Sequence, residues 1–135
     1  MSVARTILVV DDEAHITHVL AMKLRNAGYN VVTAGDGEEG FELARQTRPD
    51  LIVTDMWMPY MTGAQLCEKL RSTPTTHDVP VVVLTARGHA FDPSDLEQPN
   101  VRAVLSKPFS PREVLLKIEE VLRSAEEAGQ GEAAA

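Results

Sequence analysis

The residues able to do chemistry stand where short apolar runs give way to polar sequence. Asp11-Asp12-Glu13 follows Thr6-Ile7-Leu8-Val9-Val10, and Asp55 follows Leu51-Ile52-Val53-Thr54. Thr85 follows Pro80-Val81-Val82-Val83-Leu84, and Lys107 comes just after Val101 to Leu105. Such runs, rich in β-branched residues and bounded by Pro, Gly or acidic residues, read as buried strands. In an open parallel α/β sheet, ligands bind outside the carboxyl ends of the strands. If the strands bearing Asp11, Asp55 and Thr85 are neighbours, three carboxylates converge on one rim. Two unit charges about 4 Å apart at an effective dielectric near 20 repel by roughly 4 kcal/mol. Lys107 offsets only part of that repulsion. A hard divalent cation would relieve it, and all-oxygen ligands with room for water suit Mg²⁺. A carboxylate so placed can also serve as a nucleophile and form an acyl phosphate.

Each residue has an ordinary reading as well. Asp11 or Asp12 would cap the helix that follows, Thr85 would be an end-of-strand hydroxyl, and Lys107 a solvated loop lysine. Their joint placement on one rim is what the ordinary readings leave unexplained.

The elements that position these residues alternate strictly. After the first strand, Ile16, Val19, Leu20 and Leu24 recur at helical spacing and Ala27-Gly28 closes the helix. Tyr29 to Thr33 is a short second strand. Asp36-Gly37-Glu38-Glu39 opens a helix with Phe41 and Ala44 on one face, and Pro49 stops it. Thr62-Gly63-Ala64-Gln65 is a capping-box pattern ahead of Leu66, Cys67 and Leu70, and Ser72 to Asp78 is a polar loop. Ser110-Pro111-Arg112-Glu113 opens the last helix, whose apolar face is Val114, Leu115, Ile118, Val121 and Leu122. Between the fourth and fifth strands, Gly88 to Asn100 leaves room for one or two turns at most, because Pro99 disfavours helical geometry at Gln98. The expected fold is α/β, (βα)5, a parallel sheet with helices on both faces and a short or irregular fourth helix. The highly apolar first strand suits a central position and the mixed second strand an edge, which favours the order 2-1-3-4-5.

Composition sets the class. The chain has 135 residues, which fits one domain, and is 44% hydrophobic with few aromatics, so its core is aliphatic. A net charge of −7 argues against nucleic-acid binding by this chain. Cys67 is the only cysteine, so no internal disulfide is possible. Ile7-Leu8-Val9-Val10 is too short for a signal-peptide core, and no run approaches a membrane span. The expectation is a soluble cytoplasmic domain without membrane insertion, with residues 125–135 an unstructured Ala-, Glu- and Gly-rich tail.

Taken together, Val9-Val10-Asp11-Asp12-Glu13, Asp55-Met56-Trp57-Met58-Pro59 with Gly63, Leu84-Thr85-Ala86 and Ser106-Lys107-Pro108-Phe109 resemble the signature of response-regulator receiver domains. Any one motif is weak. The set in order, with 30 residues from Asp55 to Thr85 and 22 from Thr85 to Lys107, is highly specific and covers residues 4–124. The resemblance implies the flavodoxin-like (βα)5 three-layer sandwich. It also implies transfer of a phosphoryl group from a sensor histidine kinase, or a phosphotransfer protein, onto Asp55, which would switch an unknown downstream partner. By the same resemblance, Asp12 and Asp55 bind Mg²⁺ directly together with the Trp57 backbone carbonyl, and Asp11 acts through metal-bound water. Lys107 pairs with a phosphoryl oxygen and Thr85 bonds another. Ala86 leaves the approach open, and the Lys107–Pro108 bond is a candidate for cis.

The chain departs from the family pattern at three places. Ala103-Val104-Leu105 stands where many receivers carry an aromatic that couples to the threonine. The fourth helix is unusually Pro-rich, and Trp57 and Arg87 occupy the variable positions two after the aspartate and two after the threonine. His15, His18, His77 and His89 show no metal-ligand spacing with cysteine, and Cys67 reads as core. Two rival functions are an aspartate-nucleophile phosphatase and an interaction module independent of phosphorylation. The first lacks a second carboxylate two residues after Asp55, and the complete residue set counts against the second. The chain ends soon after its last helix, so no effector is expected on it; a free-standing regulator and a piece of a hybrid protein both fit.

Overall fold

The computed structural model describes residues 4–86, 92–107 and 109–134, with side chains through residue 127. The strands are β1 (Thr6–Val10), β2 (Asn30–Ala34), β3 (Leu51–Asp55), β4 (Val81–Thr85) and β5 (Val101–Ser106). The helices are α1 (Ala14–Asn26), α2 (Gly37–Thr47), α3 (Gly63–Arg71) and α4 (Pro111–Ala134). All strand pairs are parallel and the order is β2-β1-β3-β4-β5, as the hydrophobic patterning predicts.

Side chains of a strand alternate between faces, and here each face meets its own core. Leu8, Val10, Ile52, Val81 and Val83 pack with Phe41, Ala44, Leu66, Cys67 and Leu70 of α2 and α3. Ile7, Val9, Leu51, Val53, Val82 and Leu84 pack with Leu20 and Leu24 of α1 and with Val114, Ile118, Val121 and Leu122 of α4. The continuous apolar runs of β1, β3 and β4 are thus what a doubly covered sheet requires.

Helix starts and stops follow local chemistry. Gly28 adopts φ +100 just beyond α1, the left-handed geometry that ends helices. The Asp36 carboxylate accepts from Glu39 N at 2.8 Å, Thr62 and Gln65 form the reciprocal capping box of α3, and Ser110 Oγ accepts from Glu113 N at 3.1 Å. Between β4 and β5 the described residues form a single 3-10 turn, Pro93–Leu96, capped by the Asp92 carboxylate on Ser94 N. Its anchor is the buried Leu96, and the Gln98 and Asn100 amides donate to Ala64 O and Cys67 O of α3 at 3.0 and 2.9 Å.

One expectation is corrected. α4 continues to Ala134, so residues 125–134 are helical where an unstructured tail is expected. A helix already anchored by a buried face needs no new nucleus, and the alanines and glutamates beyond Arg123 have helix propensity high enough to carry it past Gly129 and Gly131 without a further apolar stripe.

Gly40 lets α2 lie close over β1. A Cβ there would come within 2.8 Å of Val10 Cγ2, and the Val10 side chain is branched and stiff. Gly40→Ala should lose about 1–3 kcal/mol to overpacking against a gain of about 1 kcal/mol in helix propensity. The expected net effect is destabilisation, measured by urea unfolding. Gly40→Ala/Val10→Ala should be less destabilised than the sum of the single changes. A net stabilised Gly40→Ala would show that α2 has room to shift.

Candidate functional site

The carboxyl ends of β1 and β3, adjacent in the sheet, bring two aspartates to one place. Register pairs Val9 with Val53 and Val10 with Thr54, so Asp11 and Asp55 continue the same ladder on the same side. Asp12, beside Asp11, completes a trio in which one carboxylate oxygen from each residue lies within 4.8 Å of the others. Asp11 is 1% and Asp55 4% exposed, whereas Asp12 is open to solvent.

The loop between β3 and α3 is shaped to leave this rim clear. Gly63 N donates to Met56 O at 2.8 Å, which folds the chain back over the end of β3. A Cβ on Gly63 would sit 2.6 Å from the Asp55 carbonyl oxygen, so only glycine fits that approach. Thr54 Oγ1 donates to the same Asp55 carbonyl at 3.0 Å. Trp57 lies in this loop, half-buried against the α2–α3 core. Tyr60, at its tip, is fully exposed with φ 69, a conformation unusual for a residue with a Cβ.

Lys107 arrives from β5. Its backbone N donates to Thr85 O at 2.8 Å, and its Nζ lies 3.4 Å from Asp55 Oδ1. It is the single cation among the described residues that pairs with the trio. Burial pushes the Asp11 carboxyl up to about 6; the Glu13 N–H bond opposes this and the Asp55 charge adds to it. Burial likewise raises Asp55, opposed by the charge and hydrogen bond of Lys107 and reinforced by Asp12 and Glu13. Two neighbouring carboxylates whose charged forms burial disfavours are under electrostatic load.

The fit to a cation rests on a further observation. Asp11 Oδ1 accepts from Glu13 N at 2.9 Å, the local turn that an ordinary helix-entry aspartate would make. Its Oδ2 is buried with no hydrogen-bond partner among the described residues. A buried, unsatisfied carboxylate oxygen is costly, and a cation between the three carboxylates would satisfy it. The donor set is all oxygen, which suits a hard divalent ion.

Asp11, Asp12, Asp55 and Lys107 therefore come together as the sequence predicts. Thr85, 3% exposed, stands at the end of β4, but its hydroxyl donates toward β5, to Leu105 O and Ser106 Oγ, both at 3.5 Å. Pro108 and Arg87 lie outside the described residues. Sequence reasoning passed over Glu13, whose charge adds to the load on Asp55; its signal was that it is the third consecutive acid after β1. Gly63's close approach and Ser106's place beside Thr85 were also missed. His15 and His18 are exposed on α1, and Cys67 is buried with its thiol pushed up to about 12, which leaves no nucleophile there. No helix among the described residues is long and apolar enough to cross a membrane.

Comparison with known proteins identifies this arrangement. The model of the response regulator receiver domain matches residues 7–119. The alkaline phosphatase synthesis transcriptional regulatory protein PhoP of Bacillus subtilis is 40% identical over 122 residues, 90% of this chain and 50% of that protein. The chain spans about half the length of the curated relatives it matches. Among solved structures, the chemotaxis response regulator CheY4 of Vibrio cholerae superposes with a TM-score of 0.80 at 30% identity, covering 88% of this chain and 99% of that one. A CheY-like receiver domain protein from Methanospirillum hungatei gives 0.84 at 27% identity, covering 93% and 99%. With the fold, the rim of carboxylates and the family model in agreement, the chain belongs to the response-regulator receiver domains of two-component signalling.

Proposed function

We propose that Asp55 is the phosphoacceptor of this receiver and that Mg²⁺ is the cation its rim requires. The observation that carries this reading is the cluster itself: one oxygen from each of three carboxylates within 4.8 Å of the others, with Asp55 beside Lys107, the only lysine among the described residues that pairs with them. Mg²⁺ would be held by Asp12, Asp55 and the Trp57 carbonyl, with Asp11 acting through a bound water. It would neutralise charge on the incoming phosphoryl oxygens.

In the proposed transfer, an Asp55 carboxylate oxygen attacks the phosphorus of a phosphohistidine. The bond from phosphorus to the histidine nitrogen breaks, its electron pair stays on the imidazole, and an acyl phosphate forms on Asp55. Lys107 exchanges its contact with Asp55 for one with a phosphoryl oxygen, and the Thr85 hydroxyl turns to another. The phosphoryl donor would be a sensor histidine kinase or a phosphotransfer protein, and the product would be a changed surface read by a downstream partner. The reading covers residues 4–124 as the receiver unit and places the chain in the cytoplasm, where two-component kinases present phosphohistidine. It is that of a signalling module and not of a turnover enzyme, since Trp57 stands where a phosphatase would carry a second carboxylate. The net charge of −7 supports a partner other than nucleic acid for this chain.

Incubation with Mg²⁺ and acetyl phosphate, followed by intact-mass measurement, should show one base- and hydroxylamine-labile phosphoryl group. Asp55→Asn should show none. An adduct that survives in Asp55→Asn would move the acceptor elsewhere.

Burial also makes stability depend on pH in a definite direction. The folded-state pKa of Asp11 is raised from 3.8 to about 6, so between those values the folded protein binds more protons than the unfolded chain. Without divalent cations the unfolding free energy should therefore fall as pH rises from about 4 to about 6, by a few kcal/mol, and level off above. Asp55, shifted the same way, adds to the fall. Urea midpoints in chelator at pH 5 and pH 7 test this, with Mg²⁺ expected to restore stability at pH 7. Asp11→Asn should flatten the profile; the same slope in Asp11→Asn and the parent would show that Asp11 does not carry it.

A further inference from the structure

Strand alternation separates two groups of residues at the rim. Asp11, Asp55 and Lys107 continue the side of Val9, Val53 and Leu105, toward α1 and α4. Thr85 and Ser106 are register partners and belong to the other side, so their side chains stand next to each other. The Thr85 hydroxyl donates to Ser106 Oγ and to Leu105 O, each at 3.5 Å. These are long bonds, and no shorter contact of that hydroxyl exists among the described residues. It is held by β5, but lightly enough to turn.

Ser106 is also the last residue of an exposed strip. On β5, Arg102, Val104 and Ser106 are exposed while Val101, Ala103 and Leu105 are half-buried. Val104, register partner of the fully buried Val83, is 43% exposed. This strip lies on the side where only the 3-10 turn Pro93–Leu96 stands between β4 and β5 among the described residues. β5 itself offers Thr85 no aromatic neighbour, since the strand reads Val101 to Ser106 without one. Among the described residues, the side chain that meets the Thr85 hydroxyl is therefore that of Ser106.

Building on the phosphoacceptor reading above, we propose that Ser106 is a positioning residue for Thr85. Its hydroxyl oxygen holds the Thr85 hydroxyl toward β5 in the unphosphorylated protein and loses that bond when Thr85 turns to a phosphoryl oxygen. The Ser106 hydroxyl and the strip that begins with it are then free to rearrange. In this scheme β5 competes with the phosphoryl group for one proton, that of the Thr85 hydroxyl. No covalent step is involved.

The competition sets the sign of the test. Removing the Ser106 acceptor leaves Thr85 less to give up on turning, so a phosphoryl mimic should bind more tightly. Beryllofluoride affinity at saturating Mg²⁺, measured by calorimetry, should rise about two- to five-fold in Ser106→Ala, the range for loss of one weak hydrogen bond. Ser106→Thr, which keeps the acceptor, should match the parent. In a Thr85→Ala background the Ser106→Ala change should have no further effect, because the hydroxyl it acts on is gone. Mg²⁺ affinity should be unchanged in Ser106→Ala and Ser106→Thr, whereas a general loosening of the rim would move it. Unchanged or weaker beryllofluoride binding in Ser106→Ala, or an equal gain in the Thr85→Ala background, would overturn the proposal. If the parent protein itself takes up no beryllofluoride with Mg²⁺ present, the phosphoacceptor reading fails and this proposal with it.

Discussion

Two carboxylates buried side by side are the constraint on which this structure turns. Asp11 and Asp55 sit at the ends of neighbouring central strands, nearly without solvent. Water cannot screen them, and Lys107 reaches only one of them. A folded protein tolerates such an arrangement only when something else offsets it. Protonation is one route, as the raised Asp11 and Asp55 show, and a divalent cation is the other. On the proposed function a phosphoryl group would add more negative charge to the same spot, so its arrival would depend on that cation and on Lys107. Metal binding, phosphorylation and pH response are in this view three consequences of one electrostatic problem.

The fold creates that problem through its cores. Continuous apolar runs bury β1, β3 and β4 on both faces, and the same burial reaches Asp55 at the end of β3 and Asp11 one residue past β1. Gly40 lets α2 lie close over Val10, and Gly63 lets the β3–α3 loop close against the Asp55 carbonyl. On the far edge the covering is incomplete. β5 exposes Val104 and Ser106, and the 92–100 segment is tied to α3 by side-chain amides from Gln98 and Asn100. The molecule therefore pairs a tightly packed acidic rim with an open strip on the neighbouring strand, joined at Thr85.

Much of this was legible in the sequence because burial on two faces leaves a direct trace. Five apolar runs, alternating with helical spacing and ending in Asp, Thr or Ser-Lys, specify both the parallel sheet and the rim. The capping sequences at Asp36, Thr62 and Ser110 gave correct helix starts because their side-chain bonds are local. What the sequence did not reveal depends on contacts between distant segments. That Gly63 meets the Asp55 carbonyl, that Ser106 stands beside Thr85 and that Asn100 bonds to α3 are matters of register and packing. The length of α4 is not legible for a different reason: the stretch beyond Arg123 has no apolar face to mark it, although helix propensity extends a helix already anchored.

The account stands on a cation held among Asp11, Asp12 and Asp55, and Trp57 is placed to report it. The indole is the protein's single tryptophan and lies two residues after Asp55, in the loop that closes over β3. A Mg²⁺ titration followed by Trp57 fluorescence at pH 7 should show a saturable change that is greatly weakened in Asp12→Ala. A curve in Asp12→Ala that superposes on that of the parent would place the cation elsewhere and contradict the account.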